Sequence, residues 1–455
     1  MGKDLTEVRS PQRKLMPDTV GLEQHKPTSL RGIAGKAKAD RQHRFRDLYR
    51  EMDTEFLLSC WPELNKRAAA GVDGITVKEY AKNKHANIRN LAEKLKTKRY
   101  RTKLVRRQWI PKENGKLRPL GIPALEDKLV QFACAKLLAA IYEQDFIEDS
   151  YGYRPGRGAK EAVSELTVRL QFGCYGYIVE ADIKGFFDHM DHDWLLKMLS
   201  LRIDDRAFLN LINKWLEAGI LETDGKVVHP ETGTPQGGII SPVLANVYLH
   251  YALDLWFEKV VKPRCKGKAT ICRYADDWVC AFQLRDEAER FYRELPDRLK
   301  KFNLQTASEK TRTLRFSRFH PGMKRRFTFL GFEFFWKEDW EGTPRVKRRT
   351  ARKKLQNAVK RMKEWIRSSR SLPCREFFKT LNSKLRGHYN YYGVKGNYLS
   401  LKHFFKVTLK IAYKWLNRRG GKRRSFTGTG FDELLVRMQI ALPRITELGR
   451  RKVTA

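Results

Sequence analysis

No stretch of this chain is apolar for long enough to span a bilayer, and acidic residues are scarce beside basic ones. The first absence argues against a membrane protein. The opening residues are polar and lack the apolar core of a secretory signal, so a cytoplasmic, bacterial-type location, in a ribonucleoprotein or at the nucleoid, is expected. Cysteine is sparse: seven in 455 residues, none in a Cys-x-x-Cys pair. An odd count without close pairs excludes a zinc knuckle and a disulfide framework, and fits a reduced compartment. The Gly-x-x-x-x-Gly-Lys-Ser/Thr loop is also absent, which excludes an ATPase P-loop.

What is present is positive charge. Lys and Arg number 92 against 52 Asp and Glu, a net charge of +40. Such an excess calls for a polyanionic partner, nucleic acid ahead of an anionic membrane surface. Aromatic residues make up 11% of the chain, which excludes a merely basic disordered tail and supplies faces for base stacking. The length allows two or three domains.

Along the chain, residues 1–40 are polar, basic and dotted with proline, and read as a flexible or extended arm. Helical periodicity follows through Phe45, Leu48 and Met52, broken by the turn residues of Gly71-Val72-Asp73-Gly74. Asn114-Gly115 lies between two β-type runs and predicts a hairpin. Its arms carry Arg106, Arg107, Lys112, Lys116 and Arg118, cations that a rigid ribbon could offer to a triphosphate. Residues 151–158, Tyr-Gly-Tyr-Arg-Pro-Gly-Arg-Gly, lead into a helix, so Arg154 and Arg157 could hold a phosphate backbone near its N-terminus. An apolar strand ends in Asp182. Paired glycines in residues 233–238 allow close approach to a backbone. Residues 327–335 form an aromatic β segment and residues 336–344 read as a linker. Three amphipathic helices follow, with Leu355, Val359, Met362 and Ile366, then Phe377, Leu381, Leu385 and Tyr389, then Leu401, Phe405, Leu409 and Leu416 on their apolar faces. Arg352, Lys353 and Lys354 lie on a basic face suited to RNA.

Residues 269–282 organise the rest. Two β-type runs flank Ala275-Asp276-Asp277, which predicts a hairpin with two carboxylates at its tip. An isolated Asp-Asp turn is ordinarily just solvated. Here Asp182 is delivered by a second strand end, and three carboxylates could together hold two Mg²⁺ ions for a phosphoryl displacement.

Tyr274-Ala-Asp-Asp277 resembles the reverse transcriptase active-site box. An ordered series accompanies it: residues 112–123, 151–158, 180–188, 233–248, 274–277, 304–310 and 329–331. The upstream Gly71-Val-Asp-Gly74, Gly233-Thr-Pro-Gln-Gly-Gly238 and the tail segment Leu385-Arg-Gly-His-Tyr-Asn-Tyr-Tyr392 make the chain similar to group II intron reverse transcriptases, or maturases. The resemblance implies an α+β, right-hand polymerase with fingers and palm over residues 41–335 and a helical thumb or X domain over 345–455. It implies RNA-directed DNA synthesis with two Mg²⁺ ions, Mn²⁺ as a substitute, held by Asp182, Asp276, Asp277 and the Ile183 carbonyl. Lys112, Arg118, Phe187 and Gln236 would contact the incoming nucleotide, Phe187 by crowding the sugar 2′ position. Phe329, Gly331 and Lys310 would serve primer and template. The partners implied are group II intron RNA, an RNA template with a DNA primer, target DNA and dNTPs, with no membrane. Many group II intron proteins carry an HNH endonuclease with paired cysteines after the X domain; no cysteine follows Cys374, so no second-strand nicking is expected. Two alternatives share these residues: a splicing chaperone with a vestigial polymerase, and a related polymerase recruited for host defence or DNA repair.

Overall fold

The computed structural model describes residues 29–111, 117–234, 237–322, 324–419 and 425–447. The chain divides into two units, Met1–Ala162 with Val179–Thr313, and Val163–Ile178 with Leu314–Ala455. Helices and strands are mixed without regular alternation, an α+β arrangement.

Helices α1 (Leu30–Ala39), α2 (Thr54–Cys60), α3 (Val77–Tyr80), α4 (Lys84–Lys96) and α5 (Leu125–Tyr142) lie in the first unit. The first corrects the expected arm, because residues 30–39 are helical. The Ser29 hydroxyl accepts from the Gly32 N–H at 3.2 Å, a local N-cap. Ile33 and Ala37 are buried, and α1 packs on α5. At its other end the buried Arg202 donates to the carbonyls of Ala37, Asp40 and His43. That last partner is more than 150 residues away, so local sequence gives no hint of it. Strands β1 (Val105–Pro111) and β2 (Leu117–Ile122) pair antiparallel from Arg106↔Ile122 to Pro111↔Leu117, as the expected ribbon requires. Its turn, with Lys112, lies outside the described residues.

The next elements are β3 (Ser150–Tyr151), α6 (Ala159–Phe172), β4 (Tyr177–Ala181), α7 (His192–Ser200), α8 (Arg206–Leu216), β5 (Ile220–Leu221), β6 (Val227–Val228), α9 (Ser241–Leu249), β7 (Ala269–Tyr274), β8 (Asp277–Phe282), α10 (Arg285–Lys300) and β9 (Arg312–Arg315). One sheet runs β2-β1-β5-β6 and another β3-β7-β8-β4-β9. The caps are those the sequence invites: Asp191 and Asp205 each accept from the N–H three residues on, Trp194 and Phe208. Helix α9 is buried along its whole length, and it continues into π-helical turns at His250–Asp254 and Phe257–Val261.

In the second unit, β10 (Arg326–Phe329), β11 (Phe332–Glu338) and β12 (Pro344–Thr350) form a meander, followed by α11 (Arg352–Ser368), α12 (Cys374–Tyr392), α13 (Tyr398–Leu416) and α14 (Gly428–Arg437). The expected linker at 336–344 is instead the end of β11 and its turn into β12. Asp339 Oδ1 accepts from the N–H of Glu341 and Thr343, and Oδ2 from Arg345, which closes the turn. Polar residues there build a hairpin, and the buried Trp336 anchors it. Met362, Ile366, Phe377, Leu381, Leu385, Tyr389, Leu401 and Leu416 form the helical core, with Leu355, Val359, Phe405 and Leu409 packed at its margin. No helix among the described residues is long and apolar enough to cross a membrane.

His388 of α12 stacks on Phe404 with ring centroids 3.8 Å apart. Burial, aided by the nearby Arg361, lowers its pKa from 6.5 to about 4. A base depressed on folding contributes stability above pH 6.5 that is lost as the pH falls through about 4. Replacing it as His388→Phe should therefore flatten that acid loss by up to about 3 kcal/mol. Urea denaturation at pH 7 and pH 4.5 checks this; an unchanged acid sensitivity would remove His388 as its source.

Candidate active site

The hairpin predicted at residues 269–282 is formed. Strands β7 and β8 pair from Ala269↔Phe282 to Tyr274↔Asp277, leaving Ala275 and Asp276 as the turn. Ala275 takes the left-handed conformation at φ 55°, uncommon for a residue with a Cβ. The turn is held from behind. The Ala275 N–H donates to the Tyr151 carbonyl at 3.4 Å, and Arg273 Nη1 donates to the Ala275 carbonyl at 3.0 Å. Gly152 lies against it at φ +73°, and a Cβ there would sit 2.8 Å from the Ala275 nitrogen. The glycine after Tyr151 thus lets one loop approach the aspartate turn.

Asp182 follows β4, which lies next to β8 in the sheet. Its carbonyl accepts from Ala307 N–H and the Lys184 N–H donates to the Gln305 carbonyl, both at 2.8 Å. Those two bonds flank the Ile183↔Thr306 bridge, so the carbonyl of Ile183 turns away from the 305–307 segment. Lys310 closes an ion pair with the Asp182 carboxylate, and that hydrogen bond raises the pKa of the lysine. Asp276 keeps part of its surface open, yet its carboxyl is crowded by protein atoms. Burial pushes its pKa up, and the charge of Asp182 adds to the shift. Its own backbone N–H, Arg118 and Arg273 pull the other way. Asp182, Asp276 and the ribbon's Arg118 therefore share one electrostatic environment, and Asp277 is coupled to Lys310. Among the described residues no group of three or more His, Cys, Asp or Glu side chains is placed to hold a metal ion, so Asp182, Asp276 and Asp277 do not form a ready ligand cluster in this arrangement. The donors present are carboxylates and a backbone carbonyl, hard oxygens of the type Mg²⁺ takes.

The other candidates fall into three groups. Lys112 and Gln236 lie outside the described residues. Phe187 is buried with its ring edge-on to Phe186, and its carbonyl accepts from Thr234 N–H at 2.8 Å. The second glycine-rich segment thus packs against the residues that follow Asp182. Phe329 is buried at the end of β10, and Leu330 and Gly331 form a two-residue turn with φ 51° and 79°. Tyr391 of α12 donates to the Leu330 carbonyl at 3.0 Å and stacks on Phe332, with Tyr392 tilted against the same ring. Arg352 and Lys353 are exposed in the first turn of α11, with Lys354 half-buried beside them.

Three cations suggested for phosphate are committed elsewhere. Arg154 is buried, forks onto Glu143 and donates to the Ile147 and Ser150 carbonyls. Arg107 pairs with Glu222 at 2.9 Å, and Arg106 donates to the Ala70 carbonyl. The partners of Arg106 and Arg107 lie 36 and 115 residues away, beyond a linear reading, whereas those of Arg154 lie within 11 residues.

Comparison with known proteins gives this site its context. The family described as reverse transcriptase (RNA-dependent DNA polymerase) matches residues 110–334. Protein YkfC of Escherichia coli (strain K12) is 32% identical over 319 residues, 63% of this chain and 81% of that protein. The group II intron-encoded protein LtrA of Lactococcus lactis subsp. cremoris is 44% identical over 164 residues, 36% of this chain. The chain belongs to the group II intron reverse transcriptase and maturase family. The aligned stretch spans 27% of LtrA's length. Nuclear intron maturase 1, mitochondrial, of Arabidopsis thaliana is 30% identical over 95 residues, 21% of this chain and 13% of that protein.

Sequence reasoning did not single out the residues behind the turn of this family member. Arg273 shares a strand face with Ile271 in an otherwise apolar run, and that misplaced charge was the available signal. Its partners Ser150, Asn246 and Asp254 carried none. The tight fit of Gly152 leads to an expected outcome. Gly152→Ala should destabilise the first unit by about 1–3 kcal/mol, since it combines a positive φ with a backbone clash. Chemical denaturation measures it; wild-type stability would mean the loop and the aspartate turn are not in close contact.

Proposed function

We propose that the chain is an RNA-directed DNA polymerase that copies intron RNA into DNA and binds its group II intron RNA in splicing and mobility. The observation that carries this reading is that Asp182 follows the strand that lies next to the Asp276–Asp277 hairpin in one sheet, with the charges of Asp182 and Arg118 both acting on Asp276. Clustered carboxylates are unfavourable in a scaffold and useful around divalent cations. Asp182, Asp276, Asp277 and the Ile183 carbonyl would hold two Mg²⁺ ions, or Mn²⁺. When bound, such ions activate the primer 3′-hydroxyl and neutralise the leaving pyrophosphate. Arg118, with Lys112, would bind the triphosphate and orient it for in-line attack. Gln236 would lie near the incoming nucleotide, and Phe187 would exclude a 2′-hydroxyl by its bulk. The Phe329–Gly331 turn, braced by Tyr391, would hold the primer end, and Lys310 would exchange Asp182 for primer, template or nucleotide phosphate when the site fills. The helical unit would act as thumb and X domain.

The cations of α11 fit a polyanion for a further reason. The first turn of α11 holds Arg352, Lys353 and Lys354 and no acidic residue, against the preference of a helix N-terminus for negative charge. An RNA backbone would relieve that unfavourable placement. Target DNA, dNTPs and an RNA template with a DNA primer complete the proposed partners, in a cytoplasmic ribonucleoprotein.

Primer extension on an RNA template with a DNA primer, dNTPs and Mg²⁺ is the direct test. Asp276→Ala should lower extension by more than about a thousandfold while RNA affinity changes little, because it removes a cation ligand and no phosphate contact. Retained synthesis would sink the assignment. Wild-type protein that binds intron RNA tightly, promotes splicing and extends nothing would instead favour the splicing chaperone. Neutralising Arg352, Lys353 and Lys354 together should lower the log–log salt slope of RNA binding by about 2. An unchanged slope would mean that these side chains face only water.

A further inference from the structure

The guanidinium of Arg273 is fully buried, as is the Asp254 carboxylate opposite it. Nε donates to Asp254 Oδ1 at 2.7 Å, and Nη2 donates to Asp254 Oδ2 at 2.5 Å and to Ser150 Oγ at 2.6 Å. Nη1 donates to Asn246 Oδ1 and to the Ala275 carbonyl, each at 3.0 Å. All five N–H groups of the fork therefore have an acceptor. Asn246 is fixed in turn by donating to the Gly152 carbonyl at 2.9 Å.

A hydrophobic core does not require this. A buried ion pair replaced by apolar side chains of similar size is often no less stable. Two further unfavourable features meet the pair. Asp254 closes a π-helical turn, and Ala275 holds a left-handed conformation. What they have in common is one peptide plane. Arg273 grips the carbonyl of the Ala275–Asp276 peptide, and the N–H of that same planar unit belongs to Asp276 and acts on its carboxylate, lowering its pKa. Fixing the carbonyl thus fixes where the carboxylate can lie.

We infer that Arg273 is a positioning residue, which acts through the Ala275–Asp276 peptide to set the Asp276 carboxylate and is aimed by Asp254, Asn246 and Ser150. This deepens the polymerase reading and rests on it.

Two variants of the full chain test the inference. Arg273→Lys keeps the charge and loses the fork. Arg273→Met with Asp254→Leu removes both buried charges together. Each is assayed for cooperative melting, for single-nucleotide extension kinetics and for Mn²⁺ binding by electron paramagnetic resonance. The expected result is a folded protein whose kcat falls about 100-fold, with the dNTP KM within about threefold. Mn²⁺ affinity should weaken by about tenfold or more. A merely structural role would lower the melting temperature and leave the folded fraction with wild-type kcat and Mn²⁺ affinity; that result overturns the inference. Loss of cooperative melting in both variants would also overturn it, by reassigning the pair to core stability. If the wild type extends no primer, the polymerase reading fails, and the Mn²⁺ affinity ratio of variant to wild type still decides whether Arg273 positions the aspartates.

Discussion

Carboxylates brought together repel one another, and the repulsion strengthens as water is withdrawn. The arrangement around Asp182 and Asp276 answers that constraint. The pKa of Asp276 is raised first by burial and then by its neighbour Asp182, with two arginines opposing the shift from different elements. The charge of Arg118 acts on it from the β1–β2 ribbon, and that of Arg273 from within the sheet. Lys310 neutralises Asp182 from a third segment. Each carboxylate is thus matched by a cation from a different part of the first unit. That distribution explains why this unit needs both a basic ribbon and a deep polar core to carry one short turn.

The cations differ in permanence. Arg273 is enclosed and uses its whole fork, so it cannot leave without exposing Asp254 as an unpaired buried charge. Lys310 is largely exposed on a flexible stem, and its bond to Asp182 is one that a divalent ion or a phosphate can replace. On the proposed reading, the first sets geometry and the second yields when substrate arrives. Arginine suits the fixed role because its fork is planar and preorganised. Lysine suits the exchangeable role because it is a point charge that is readily solvated.

Much of this was legible in the sequence, for a physical reason. The Asp-Asp hairpin announces itself because strand propensity and turn position are local properties. The apolar faces of α11, α12 and α13 follow from spacing alone, and Met362, Ile366, Phe377, Leu381 and Leu385 lie in the core. Long-range polar partnership was not legible. Arg106 and Arg107 look like phosphate ligands in a chain of charge +40, yet each meets a distant acceptor supplied by the fold. The same limit hid α1, whose C-terminal end is capped by Arg202. The hairpin at 336–344 is a different case: Asp339 closes it through three local bonds, and its polar turn reads as easily as a linker. Where a charged residue sits among apolar neighbours of one strand face, as Arg273 does, the pattern does carry information: it marks a buried partner still to be found.

That distinction bears on how the excess of positive charge should be read. A cation with a buried acceptor shapes the fold, and only the remainder is available to a polyanion. Arg154, Arg202, Arg273 and Arg348 are all buried and bonded to the protein, Arg348 through both of its bonds to Glu447. Arg352 and Lys353 are exposed at a helix start that disfavours them. The Glu333 carboxylate, which accepts from the Arg352 N–H at 3.3 Å, supplies one negative charge at that helix start, whereas the buried arginines are each bonded within the fold. On the proposed reading an RNA backbone adds further compensation, and α11 presents both cations in one turn. On the proposed reading the helical unit is in this respect the counterpart of the aspartate turn: one gathers negative charge suited to cations, and the other gathers positive charge suited to a phosphate backbone.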